Sequence, residues 1–164
     1  MILGMTTFTF VHVVLSLVGI GSGFVVTLGL LMGKRLDAWT ALFLVSTAAT
    51  SVTGLGFPFD HVLPSHVVGV ISLIVLAVAI FARYARQLTG AWRQIYVVGA
   101  VVALYLNVFV LIVQAFLKVP ALKAMAPTQA EPPFLVTQLV VLALFFVLAI
   151  VAVSRFHNRT IPTA

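Results

Sequence analysis

Few side chains in this 164-residue chain could do chemistry, and most of them sit inside apolar runs. His12 and His66 are imidazoles within such runs, and Asn107, Gln114 and Gln138 are amides in the same position. Two neutral imidazoles on different helices at matching depth are what bis-histidine ligation of a b-type haem requires. Imidazoles and amides together can equally hold the polar head of a quinone while its tail lies between helices. Lys118 or Lys123 could pair with the haem propionates near the surface. The metal-ligating expectation therefore rests on His12 and His66, and the cofactor-binding expectation on His12, His66, Asn107, Gln114, Gln138 and Lys118.

Elements that hold such groups must be membrane spans. The chain is 63% hydrophobic and 7% charged, whereas soluble domains average about 25% charged residues. Crossing about 30 Å of hydrocarbon takes about 20 apolar residues. Five segments qualify, at approximately 7–32, 39–57, 65–88, 95–117 and 134–153. They predict an all-α integral membrane protein, a bundle of five transmembrane helices, forming a single domain over 1–164. The second segment is the most polar, with Thr40, Ser46, Thr47, Thr50, Ser51 and Thr53. Hydroxyls in lipid bond backbone carbonyls or neighbouring helices, so that helix is expected inside the bundle.

Charge sets the expected orientation. With five spans, Lys34, Arg35, Arg83, Arg86, Arg93, Arg155 and Arg159 share one side, and Lys118 and Lys123 the other. Positive residues accumulate on the cytoplasmic side. The N-terminus is therefore expected outside and the C-terminus in the cytoplasm, in a bacterial inner membrane. The inner charges read as solvated anchors.

Helical periodicity then aims the polar residues. His12, Ser16, Gly19, Gly23 and Thr27 form one stripe on the first span. Tyr96, Ala100, Ala103, Asn107, Val110 and Gln114 form another on the fourth. An unsatisfied amide in hydrocarbon costs several kcal/mol, so these faces must turn inward. His12, His66, Gln114 and Gln138 all fall in the outer half. The segment "FPFDHVLPSH" from Phe57 is expected to roof them, and "PALKAM" to form a short interfacial helix.

Several function classes drop out. No cysteine is present, which removes disulfides, thiolate metal sites and c-type haem attachment. No basic stripe is interleaved with stacking aromatics, so nucleic acid is not an expected partner. "GIGSG" lacks the spacing of a phosphate-binding loop. Asp60, His61 and His66 could hold a surface zinc or copper, although their spacing matches no familiar ligand pattern. No activated-nucleophile motif is present, so enzymatic activity stays open. A haem- or quinone-binding protein of membrane redox chemistry is the leading expectation. The alternatives are a ligand-free accessory or assembly subunit of a membrane complex, and a small-solute transporter or channel. The expected partners are the lipid bilayer together with a membrane-complex partner or a second copy of the chain.

Overall fold

The computed structural model describes residues 6–57 and 64–157. Asp60 and His61, and with them most of the expected roof, lie outside the described residues. The chain is a small all-helical polytopic membrane protein, with five helices among the described residues long and apolar enough to cross a bilayer.

Helix α1 spans Thr7–Leu31 and is capped by Thr6, whose hydroxyl accepts from the Thr9 N–H at 3.2 Å. It stops at Gly33, whose φ of +66° needs a residue without Cβ, and Lys34 N–H closes the turn on Gly29 O at 2.8 Å. Helix α2 spans Asp37–Leu55 and places a carboxylate in its first turn, where the helix dipole favours negative charge. Its 19 residues reach about 28 Å. Helix α3 spans Pro64–Ile80 and runs into a π-helical turn at Phe81–Ala85. Helix α4 spans Trp92–Lys118, α5 is the expected short helix at Pro120–Met125, and α6 spans Pro132–His157.

The third span ends earlier than the expected 88. Gln87 and Leu88 both adopt positive φ, +47° and +58°, which breaks the helix. Leu88 turns back into the core there, and its N–H bonds Ala82 O at 3.1 Å. The remaining expected spans agree with the helices to within a few residues, except that α6 continues to His157.

Helices α1 to α4 close a ring, each packing on its sequence neighbour and α4 packing back on α1. Helix α6 lies outside the ring against α4 and α1. The ring has two unlike ends. Where α1 finishes, Phe43, Leu44, Leu76, Ala79, Tyr96 and Val97 fill the interior. Lipid supplies no hydrophobic drive between helices, so van der Waals contact between small and shape-matched residues must hold them. The glycines of the α1 stripe provide it. A Cβ on Gly23 would lie 2.7 Å from Leu104 Cδ1 and 2.8 Å from Phe43 Cε2. Where α1 begins, the ring is hollow.

Candidate functional site

The hollow end holds a cavity of about 680 Å³ walled by α1, α2, α3 and α4. His12, His66, Asn107, Gln114 and Lys118 all line it. Periodicity explains why they meet: Tyr96, Ala100 and Ala103 are buried on the dry half of the α4 face, and the same face continues as Asn107, Val110 and Gln114 along the cavity. Gln138 is the exception. It is buried in the α4–α6 seam, with Nε2 donating to Phe109 O at 3.3 Å. Phe109 lies two residues past Asn107, on another side of α4, so the Gln138 amide meets the back of the helix whose front faces the cavity. Its Oε1 has no partner among the described residues.

His12 is held from α2. Its Nδ1 lies 2.8 Å from Thr53 Oγ1. That hydroxyl has one proton, and it is directed at backbone carbonyls of α2, Ala49 O at 2.7 Å and Thr50 O at 3.2 Å. Thr53 therefore accepts from His12, which fixes the Nδ1–H tautomer and leaves Nε2 as the acceptor or ligating nitrogen. The ring is clamped edge-on by Phe57, centroids 5.1 Å apart, and Phe57 is backed by Phe8 at 4.9 Å. Gly54 also faces the ring: a Cβ there would stand 3.4 Å from His12 Cε1, in van der Waals contact.

His66 is buried on α3. Helices α1 and α3 are not neighbours in the ring, so the two imidazoles enter the cavity wall from opposite corners. Between them, Ser51 donates to Thr47 O at 3.0 Å and lies 3.1 Å from Ser72 Oγ, which ties α2 to α3. Thr50 Oγ1 is buried in the same wall with no partner among the described residues. The cavity is closed toward the dry end by Asn107, whose Nδ2 donates to Thr47 Oγ1 at 3.1 Å. A Cβ on Gly19 would sit 3.1 Å from that same Thr47 oxygen.

The connection after α4 is fastened near the mouth. Gln129 Nε2 donates to Val113 O at 2.9 Å. Glu131 accepts from the Thr128 hydroxyl at 2.8 Å and from the backbone N–H groups of Thr128 and Ala130.

At the opposite end, the reading of the inner charges as solvated anchors is corrected for Arg83. Its side chain is only 3% exposed. The guanidinium pairs with Asp37 and lies over the rings of Tyr96, 5.2 Å away, and Tyr84, 5.5 Å away. The residue lies within the π-helical turn, and sequence carries no mark of such a turn. Asp37 and Tyr96 are the partners that sequence reasoning missed; an acid in the first turn of α2 was the available signal.

Among the described residues, no group of three or more His, Cys, Asp or Glu gathers as a metal site. Two residues of the Asp60–His61–His66 set lie outside the described residues. No family model, curated protein or solved structure matches the chain.

Proposed function

We propose that this membrane protein binds a lipid-soluble redox ligand of the quinone class in the hollow end of its bundle. One observation carries the reading: two imidazoles, two amides and an ammonium from α1, α3 and α4 line a single cavity of about 680 Å³. That volume lies in the range of small-molecule sites, roughly 300–1,000 Å³. The chemistry is complementary in both redox states. His12 Nε2, fixed as an acceptor, suits the hydroxyl of a reduced head. The Gln114 amide and the Lys118 ammonium suit the carbonyl oxygen of an oxidised one. The distribution of Lys and Arg supports placing this end at the outer face, with the C-terminus in the cytoplasm.

A second reading, a b-type haem, is favoured by one specific feature. A porphyrin leaves its iron open to two further ligands, and two imidazoles lining one cavity, His12 and His66, would be the donors. The residues fit this group in donor type: Thr53 holds Nδ1–H of His12, as an outer-shell acceptor does for a ligating imidazole. When bound, haem would supply one-electron chemistry, and this chain would supply His12 and His66 as ligands and Lys118 as a counter-charge.

Protein purified with native lipids separates the readings. A quinone head group recovered by solvent extraction, and lost from His12→Ala and Gln114→Leu, is the expected result. A Soret band lost from His12→Ala and from His66→Ala would replace quinone with haem. A colourless preparation that retains no extractable quinone and takes up neither ligand on supplementation would overturn both.

A further inference from the structure

We infer that the cavity opens sideways into the membrane between α1 and α4, and that its ligand carries an apolar tail that stays in this opening. The inference rests on the cavity being a ligand site, as proposed above, and adds the route and the chemical class. Two residues belong to the cavity wall and to the lipid-facing surface at once. Leu17 lines the cavity, yet it is 54% exposed and continues a lipid-facing stripe with Val14 and Val18. Leu111 faces it from α4, also lines the cavity, and is 42% exposed. It is the most exposed α4 residue between Gly99 and Phe116.

Depth shows that this is a membrane opening and not the aqueous mouth. Leu17 lies ten residues after the start of α1, about 15 Å along the axis at 1.5 Å per residue. Leu111 lies seven residues before Lys118, about 10 Å from the helix end. Both are at hydrocarbon depth. The flanking helix does not cover the gap. Close to the hollow end α6 is fastened to α4, through Gln138 on Phe109 and the Phe116–Phe134 ring contact at 5.4 Å. It meets α1 further down, where Phe24 and Phe145 approach to 6.3 Å. Below the gap, Gly19 and Gly23 bring α1 tightly against its neighbours and shut it. The polar groups of the wall lie inside the ring, from His12, Gln114 and Lys118 near the helix ends to Ser72 and Asn107 deeper in, and leucines form the lips. An amphiphile with its head among those polar groups and its tail between the leucines matches that arrangement.

The test uses the full chain in lipid nanodiscs and two probes with one head, a benzoquinone without a side chain and the same quinone bearing a decyl chain. Leu17→Trp/Leu111→Trp narrows the opening. Both sites tolerate bulk because they face lipid, and a thermal melt confirms folding. The expected result is that the double variant slows association of the decyl probe at least about tenfold more than that of the tailless probe. The chain has no native cysteine, so Leu17→Cys can carry a single nitroxide as a second readout. The decyl probe should shield that nitroxide from dissolved oxygen and the tailless probe should not. Equal association of both probes in wild type and variant, with no shielding, overturns the side opening and leaves the site standing. Failure of wild type to bind either probe overturns the site and the opening together.

Discussion

The two ends of this bundle are built from the same four helices and obey opposite rules. At the dry end apolar side chains fill the inner faces, and the buried guanidinium of Arg83 is matched in charge, although its Nε has no hydrogen-bond partner among the described residues. Arg83 has a carboxylate partner in Asp37 and two aromatic faces, Tyr84 and Tyr96. At the hollow end the inner faces are more polar, and they surround space. Several polar groups there are anchored to a neighbouring helix: His12 through Thr53, Asn107 through Thr47, Ser51 through Ser72. On the proposed reading, the difference separates polarity used for holding helices together from polarity that also faces a ligand. Networks whose members are all satisfied rigidify a core, whereas a buried group with no partner is costly. Thr50 Oγ1 in the cavity wall is such a group, and so are Arg83 Nε at the dry end and Gln138 Oε1 in the α4–α6 seam.

Deleting bulk at both ends sharpens the comparison most. Phe43 is fully buried against α1 and α4, and Phe43→Ala should cost about 3–5 kcal/mol. Val110 faces existing space, and Val110→Ala should cost less than about 1 kcal/mol. Unfolding of both variants in mixed micelles by rising detergent fraction measures the gap, and equal losses would erase the distinction between the ends. Next in size is the ion pair. Asp37→Asn leaves the Arg83 guanidinium enclosed without its anion. Asp37 itself is 69% exposed, so solvent screens the pair, and the expected loss falls to about 1–2 kcal/mol. The same unfolding titration reads it, and an unchanged midpoint would demote Arg83 to a snorkelling anchor.

Thr53→Val tests the hollow end from its own side. Stability should fall by only about 1 kcal/mol, but the His12 tautomer should cease to be fixed. Nitrogen chemical shifts of labelled imidazole would then move from a single protonated Nδ1 toward a tautomer mixture, with weaker quinone retention. The smallest effect belongs to the connection beside the mouth. Desolvation works to raise the Glu131 pKa, but it is outweighed. The Thr128 hydroxyl and the nearby backbone N–H groups hold the carboxyl below its ordinary value. A carboxylate depressed in the folded state contributes stability above its unfolded pKa and loses it as pH falls through the folded one. Wild type should therefore lose a small increment of thermal stability on acidification below the ordinary carboxylate range, and Glu131→Gln should lack that increment.

What the sequence disclosed followed from periodicity and depth. The α4 face from Tyr96 to Gln114 was legible because six residues recur at helical spacing against an apolar background. The pairing of His12 with His66 at one end followed from counting spans. Gln138 was not legible in the same way. On α6 a single amide among Leu, Val and Phe gives its depth but no direction, and the helix beside it proved to be the back of α4. Arg83 was hidden for a different reason. A basic residue near the inner end of a span ordinarily extends to the interface, and the π-helical turn that encloses this one leaves no mark in the sequence. Thr53 was one of six hydroxyls on α2, and nothing local distinguishes the one that receives His12.

The tight contact at Gly19 and Gly23 has a mechanical meaning. It is placed as a fulcrum would be: the length of α1 above it, twelve residues from Gly19 to Thr7, is about 18 Å. A tilt of about 5° at that point would carry the tip about 1.6 Å, by simple trigonometry on the helical rise. His12 is tied to α2 through Thr53, whereas His66 stands on α3. Any rocking of the first hairpin against α3 would therefore change the separation of the two imidazoles, and the Ser51–Ser72 contact would resist it.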